Sequence, residues 1–432
     1  MNDVRVPALI PPYGFGRPGE AIPLYDGMVT WAGRSAPGSV QLRLAPRPDV
    51  RWTSEPEQPF GSDFSDVELH MEHESGPVRV AARRAGSADG RIHHADVGPT
   101  DAALDHVLAH WLNVPAFRSP HRIDDGATEY SGRWTADLGA WVVVLDRRVD
   151  HREVYREITT AGSIVMTHVM EIRRRDGLTF TPRDVDPVLD ALHLGMSFAL
   201  GRWVAPVLPA GYDRHGARVW EQWAVRSCDP GAAAALSWWF RQHERELAEL
   251  LHLLVARFDE PARRFTTRFL LASAVLSAAG GFCEQRIMTA VAALEHLTWT
   301  TLVTRGSMSK SAYKKLEPTS ERLTLLLDAA SIDVSLDSSA CPNLAAFAHE
   351  QPAGERSGPR VLHKVRNMIV HPTSDGHALY ERFDGLVTEA WLLAHHYLVL
   401  LVLHDLGYRG SVQRILRPGG WEGDVEAVPW VS

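Results

Sequence analysis

Short segments in the first half of the chain alternate apolar and polar residues, which is the pattern of half-buried β-strands. Glycine, proline and serine residues separate these segments and favour turns between them. We therefore predict a β-rich N-terminal and middle region. The predicted strands are residues 39–45, 66–73, 77–84, 131–139, 140–148, 163–175 and 217–225.

Two helices are predicted within this β-rich region. Residues 101–112 follow Thr100, a residue type that caps helix N-termini, and they begin with an aspartate in the first turn. Residues 182–200 follow Thr181, with proline at the first helical position and aspartate at the third, close to a capping box.

From about Gly231 onward, apolar residues recur at the spacing of helices that bury one face. The last segment is apolar all round but contains His395, His396 and His404, which favours a buried helix over a membrane span. Polar loops are expected at residues 305–316 and 351–358. The predicted helices are residues 238–258, 264–278, 284–303, 320–330, 359–371 and 379–406.

These patterns predict an α+β protein, with a β-rich N-terminal and middle region followed by an all-α helical bundle. Residues 1–160 form a β-rich domain in this prediction. Residues 161–230 form an α/β middle segment that is either separate or part of that domain. Residues 231–415 form the helical domain, and residues 416–432 form a C-terminal tail without an element of its own.

The composition narrows the class of protein. The 432 residues are 45% hydrophobic and 23% charged, which excludes a largely disordered or fibrous chain. The net charge is −8, so any binding to nucleic acid must be local. Three cysteines lie far apart and suit a reducing compartment. Because the pattern contains neither a signal peptide nor a membrane span, we expect a soluble cytoplasmic protein.

Two patterns suggest ligands but have simpler explanations. His70, Glu72 and Glu74 would share one face of a strand and could converge on a metal ion. A solvated strand face gives the same pattern, and we favour that interpretation. Residues 14–19 have the glycine spacing of a dinucleotide-binding loop but lack the required strand and helix around them. We therefore predict neither a metal nor a cofactor.

A third pattern, near the end of the helical region, is a stronger candidate for a functional site than these two. Arg366 and Asn367 are followed by His371 and Pro372 in an amphipathic helix. Asn367 and His371 are four residues apart and share a helix face, with His363 one turn earlier. The proline disfavours helical geometry at the residue before it, so the helix should end there. A positive charge on that histidine is favoured by the helix dipole.

This arrangement resembles the signature of the HEPN superfamily (higher eukaryotes and prokaryotes nucleotide-binding). The resemblance extends to the ALEHL segment at residues 293–297, to the helix at 320–330 and to the very apolar helix after the motif. A β-rich N-terminal part joined to such a bundle is similar in layout to the ApeA-like antiphage proteins. The resemblance implies a HEPN-like helical bundle.

The resemblance also implies a metal-independent endoribonuclease that leaves a 2′,3′-cyclic phosphate and a 5′-hydroxyl. His371 would transfer protons, Arg366 would stabilise the developing charge, and Asn367 would position the phosphate or its partner side chain. The role would be a regulated, toxin-like RNase in antiviral defence by abortive infection, with the N-terminal region sensing a phage-derived trigger. The alternative is a non-catalytic HEPN-fold scaffold that binds a nucleotide or a protein.

Other residues are expected to support this site. Glu295 falls on a largely apolar helix face, so it either pairs with Arg366 or lies at the edge of that face in solvent. Only four of the 45 basic residues are lysine, and they fall in one window near the motif. This local positive charge is either an RNA-binding surface, with tRNA as one candidate, or an ordinary solvated loop. The predicted RNA-binding residues are Arg305, Lys310, Lys314, Lys315, Arg360 and Lys364.

The reaction needs an acid and a base, whereas one motif offers one suitable histidine. His363 is a second candidate, but the helical rise separates its backbone from that of His371 by roughly 12 Å. A homodimer paired through the C-terminal bundle would supply a second motif, as the HEPN resemblance also implies. We expect its interface near Glu295 and Trp299.

Overall fold

The computed structural model describes residues 6–55, 65–74, 76–85, 88–231, 236–371, 380–416 and 421–431. The chain divides into two compact units. The β unit comprises Met1–Met196 and Trp203–Ala233, and the helical unit comprises Ser197–Arg202 and Ala234–Ser432.

The strands of the β unit confirm the alternating pattern of the sequence in most places. All seven predicted strands are present, with ends that differ by a few residues. They are β1 (Val6–Pro7), β2 (Ile22–Trp31), β3 (Arg34–Arg43), β4 (Asp49–Ser54), β5 (Ser65–His73), β6 (Gly76–Arg84), β7 (Asp89–Ile92), β8 (His94–Val97), β9 (His106–Leu112), β10 (His121–Asp124), β11 (Glu129–Leu138), β12 (Trp141–Arg147), β13 (Met166–Arg174), β14 (Ala205–Tyr212) and β15 (Arg218–Ala224).

Six of these strands close into an antiparallel barrel in the order β2-β3-β4-β7-β6-β5. The barrel closes where β2 meets β5, with Val29 opposite Met71. Alternate side chains such as Val40, Leu42 and Trp52 point inward and are completely buried. The barrel interior is therefore a packed apolar core.

The other nine strands form a single sheet in the order β1-β10-β11-β12-β13-β9-β14-β15-β8. Strand β9 lies inside this sheet, and six of its seven residues are buried. The prediction of a helix at residues 101–112 is therefore wrong. A strand that is covered on both faces loses the apolar–polar alternation, so its sequence cannot be distinguished from a buried helix by periodicity.

Two helices, α1 (His151–Ala161) and α2 (Pro182–Leu200), connect strands of the sheet. The sequence did not predict α1. The prediction of α2 is confirmed, including its start, because the Asp184 carboxylate accepts hydrogen bonds from the backbone N–H and the hydroxyl of Thr181, both at 2.8 Å.

The helical unit confirms that the C-terminal part of the chain is a helical region. Its helices are α3 (Glu244–Phe258), α4 (Pro261–Ala279), α5 (Cys283–Trp299), α6 (Lys310–Lys315), α7 (Thr319–Ala329), α8 (Pro342–His349), α9 (Gly358–Val370) and α10 (Leu386–Leu406). Helix α10 packs against α4, α5 and α9. It is long and apolar enough to cross a membrane, but 67% of its most apolar window is buried inside the protein, as in a core helix.

Three predictions in this region need correction. The loop at 305–316 contains helix α6, whose N-cap Ser309 accepts a hydrogen bond from the Ala312 amide at 3.1 Å. The first helix starts at Glu244, later than predicted. The C-terminal tail carries strand β17 (Val425–Ala427), which pairs in antiparallel register with β16 (Ser411–Gln413), a three-residue ladder too short to show a periodic pattern in the sequence. The predicted start of the last helix at residue 379 lies outside the described residues.

Candidate functional site

Helix α9 presents the motif at its C-terminal end. Val361, Leu362 and Val365 are at most 2% exposed and hold the helix in the core of the bundle. The helix ends at Val370, and His371 leaves helical geometry with φ −123° and ψ 71°. The predicted helix end is therefore confirmed. Pro372 lies outside the described residues.

Three side chains of α9 form one hydrogen-bonded series, which we call the motif chain: Arg366, Asn367 and His363. The Arg366 Nη1 donates to the Asn367 side-chain oxygen at 3.1 Å. The Asn367 Nδ2 contacts the His363 Nε2 at 3.0 Å. Since an amide nitrogen can only donate, the imidazole Nε2 accepts and the neutral ring carries its proton on Nδ1.

The surroundings of His363 favour this neutral form. Burial lowers the pKa of His363 below its ordinary value, and the nearby Arg366 guanidinium lowers it further. The Glu295 carboxylate acts in the opposite direction but does not reverse the shift. The neutral imidazole thus keeps its one lone-pair nitrogen as the acceptor for the Asn367 side chain.

Arg366 keeps unused hydrogen-bonding capacity. It is half-buried, and its Nε is buried without a hydrogen-bond partner among the described residues. It forms no ion pair with a carboxylate in the described part of the chain. A guanidinium in this state has donors left for an anion such as a phosphate.

His371 lies at the exposed end of the same helix. Its backbone N–H donates to the Asn367 carbonyl at 2.8 Å, and the residue as a whole is exposed to solvent. The structure thus brings Arg366, Asn367 and His363 together directly. It places His371 one turn beyond Asn367 and about two turns beyond His363, where an external substrate can reach it.

Glu295 is half-buried on α5 and lines a small pocket together with His363. The ion pair with Arg366 that we considered is not formed among the described residues. Glu295 instead influences His363 electrostatically. Trp299, one turn further on, packs its ring edge against Tyr313 at 5.1 Å between ring centroids.

The six predicted RNA-binding residues divide into two groups. Arg305 pairs with Asp405 at 2.6 Å, Arg360 pairs with Glu321, and the Lys364 ammonium donates to the Gln351 side chain. The two carboxylates offset the positive charge of Arg305 and Arg360, whereas the neutral Gln351 amide only engages a donor of Lys364. The exposed residues of helix α6 are the second group: Lys310, Lys314 and Lys315.

Comparisons with known proteins give two matches to described families. Residues 99–233 match the YopA central domain, and residues 271–426 match the YopA C-terminal domain. The chain is also similar to the "SPbeta prophage-derived uncharacterized protein YopA" of Bacillus subtilis (strain 168). The two are 28% identical over 315 residues, which cover 72% of this chain and 68% of that protein. No solved structure matches.

The segment that matches the YopA C-terminal domain contains α9 and the motif. It also contains two residues that the sequence did not indicate as part of the candidate site. Thr319 and Ser320 begin helix α7 and line the same pocket as Glu295 and His363. A capping-type residue after Pro318 signals a helix start, but no spacing in the sequence relates it to residues 363–367.

A metal site does not emerge from the described residues, since no group of three or more His, Cys, Asp and Glu among them could hold an ion. His70, which we considered as a ligand, lies 2.9 Å from the Glu68 carboxylate on an exposed strand face.

Proposed function

We propose that the helical unit is a metal-independent endoribonuclease of HEPN type. The motif chain on α9 carries this proposal, because it combines a guanidinium that has no carboxylate partner among the described residues with a neutral histidine. Arg366 lies little more than one turn before the exposed His371, and His363 lies about two turns before it. Such a set supplies positive charge and proton transfer, which are the requirements for cleaving RNA by internal attack.

In this reaction the RNA 2′-hydroxyl attacks the adjacent phosphate and loses its proton. The bond to the 5′-oxygen breaks, and that oxygen gains a proton. The products are a 2′,3′-cyclic phosphate and a 5′-hydroxyl. His371 transfers protons, Arg366 stabilises the charge on the phosphorus oxygens, and Asn367 fixes the guanidinium through its side-chain oxygen.

A dimer completes the proton transfer, because each chain contributes one exposed motif histidine. Pairing through α9 and the end of α5 near Trp299 would bring two sets of Arg366 and His371 into one composite site. The lysines of α6 would contact the RNA backbone, and tRNA is one candidate substrate.

An unregulated ribonuclease would poison its own cell, so the activity needs restraint. We assign that role to the β unit, which would sense a phage-derived trigger in the cytoplasm. The Bacillus subtilis relative is named as prophage-derived, and we place the proposed activity in conflict between phages and their hosts. Antiviral defence by abortive infection is the corresponding biological function.

The test is incubation of purified wild type and His371→Ala with tRNA and with total RNA, with and without excess EDTA. We expect the wild type to cleave in both conditions and leave 2′,3′-cyclic phosphate ends, and His371→Ala to be inactive. His252→Ala, an exposed histidine on α3, is the matched control and should cleave normally. Loss of wild-type cleavage in EDTA would contradict the metal-independent mechanism.

A non-catalytic HEPN-fold scaffold that binds a nucleotide or a partner protein is the second candidate function. The motif chain offers a reason for it, because the bonds of Arg366 and His363 to Asn367 also brace the end of α9. Expression in a bacterial host separates the two. An active ribonuclease slows growth and His371→Ala relieves the effect, whereas a scaffold gives the same growth with either protein.

A further inference from the structure

A small pocket opens beside the motif chain, between α5, α7 and α9. It encloses about 30 Å³, which is room for a few water-sized groups rather than a whole nucleotide. Its walls are mainly aliphatic, with Val291, Leu294, Leu323 and Leu362 among them. The motif histidine His363 also lines it, so the pocket and the candidate active site share a wall.

One wall of the pocket carries a hydrogen-bond acceptor, the Glu295 carboxylate, that has no charged partner among the described residues. Glu295 is half-buried and forms no ion pair with any of the described residues. A carboxylate has two oxygens that can accept a pair of parallel N–H donors. A half-buried carboxylate without a cation is costly unless donors from elsewhere satisfy it.

Another helix brings donors to the same pocket. Ser320 is 3% exposed and lines the pocket, and its hydroxyl has no hydrogen-bond partner within the described ranges of the chain. It occupies the second position of α7, an eleven-residue helix that begins at Thr319. The first backbone N–H groups of a helix have no acceptor within the helix and carry partial positive charge.

We propose that this pocket binds the Watson–Crick edge of a guanine base next to the cleaved phosphate. Guanine presents two adjacent N–H donors, N1–H and N2–H, which match the two oxygens of Glu295. Its O6 is an acceptor, which matches the Ser320 hydroxyl and the first amides of α7. Adenine has no N–H at N1, and cytosine has an acceptor at N3, so neither offers this combination.

The inference rests on the proposed function, since it names the base that the same site reads. Its first test is equilibrium binding of guanosine, inosine and adenosine 3′-monophosphates to the purified full-length protein. We expect guanosine monophosphate to bind about tenfold or more tightly than the adenosine compound. The inosine compound lacks the 2-amino group and should fall between them.

Two variants test which residues of the pocket cause the preference for guanosine monophosphate. Glu295→Gln should reduce guanosine monophosphate binding to the adenosine level, because an amide offers only one acceptor. Ser320→Ala should weaken it by a smaller factor. The matched control is Glu284→Gln in the first turn of α5, about three turns from Glu295, which should bind like the wild type. Equal binding of the three nucleotides, or binding of none, overturns the proposal.

Mapping of cleavage sites separates this inference from the proposed function. Cleavage of RNA without any preference for guanosine would refute the pocket assignment and leave the nuclease intact. Selective guanosine binding that depends on Glu295, without cleavage of any RNA, would support the pocket and refute the nuclease.

Discussion

The central sheet of the β unit and the end of α9 in the helical unit use histidine in opposite ways. His110 and His168 are at most 1% exposed on the adjacent strands β9 and β13. Burial lowers the pKa of His110 to about 3 and that of His168 well below its ordinary value. On α9, His363 is half-buried within a hydrogen-bonded series and His371 is exposed.

Arginine shows the same contrast. Arg133 in the sheet forms an ion pair with Asp146 at 2.6 Å, and the aspartate side chain is only 3% exposed. Arg366 on α9 has no carboxylate partner among the described residues and keeps donors free. The comparison teaches that residue type alone does not mark a site. A buried group, whether ion-paired like Arg133 or kept neutral by burial like His110, maintains the fold, whereas an accessible group with unused donors can act on a ligand.

The largest expected difference comes from removing these two arginines. Arg366→Ala should lower RNA cleavage by about 10²–10³-fold, the usual loss when a preorganised donor to a developing anion is removed. The free energy of unfolding should hardly change. Arg133→Ala should lower the free energy of unfolding by about 3 kcal/mol, because Asp146 then stays buried without its cation.

Initial cleavage rates and chemical denaturation measure the two effects on the same preparations. Arg366→Lys is the control for charge, and it should restore only part of the activity because it lacks the planar fork. If Arg366→Ala instead destabilised the protein and spared cleavage per folded molecule, Arg366 would be a structural residue like Arg133.

The second prediction concerns acid sensitivity. The pKa of His110 is about 3 in the folded β unit and about 6.5 in an unfolded chain, so the unfolded state binds the proton first. The stability linked to this histidine is complete above about pH 6.5 and is lost as the pH falls below that value. The loss is about 1.4 kcal/mol per pH unit.

Denaturation at pH 7, 6 and 5 measures that slope. His110→Gln should make the slope shallower by about 1.4 kcal/mol per pH unit. Val169→Ala, at the register partner of His110 on β13, removes packing but no titrating group. It should lower the free energy of unfolding equally at each pH. A His110→Gln slope equal to that of the wild type would refute the prediction.

Much of the fold could be predicted because most strands have one face covered and one exposed. Residues 66–73 alternate in the sequence, and β5 has the corresponding alternating burial over Leu69 and Met71. Strand β9 could not be predicted in this way, because both of its faces are covered and its residues therefore do not alternate between apolar and polar. Closure of the barrel also escaped prediction, because it depends on β2 meeting β5, about forty residues away.

The candidate site was predictable only within one helix. The spacing placed His363 one turn before Asn367 on one face of α9, and the structure adds that their side chains are in contact at 3.0 Å. Contacts between distant segments were not predictable. Arg305 contacts Asp405, and Glu295 faces Ser320 across a pocket, through packing that no local pattern encodes.

The third prediction is that the active ribonuclease is a dimer, which no residue of the β unit needs to mediate. Light scattering should give twice the chain mass. Adding a tenfold excess of inactive His371→Ala should lower wild-type cleavage several-fold, because most wild-type chains then pair with a partner that lacks the histidine. The same excess of Arg133→Ala should not inhibit. A monomer that cleaves at full rate would rule out the composite site.

The smallest expected effect comes from the lysines of α6. Lys310, Lys314 and Lys315 are exposed, whereas Arg305 and Arg360 have carboxylate partners. Three phosphate contacts contribute about 0.7 each to the slope of log affinity against log salt on single-stranded RNA. Changing the three lysines to glutamine should therefore reduce that slope by about two.

A matched control in the β unit replaces three arginines on the exposed face of the barrel, with no expected change in the slope: Arg79→Gln, Arg83→Gln and Arg91→Gln. An unchanged slope in the lysine variant would show that the positive charge of α6 is only a solvated surface.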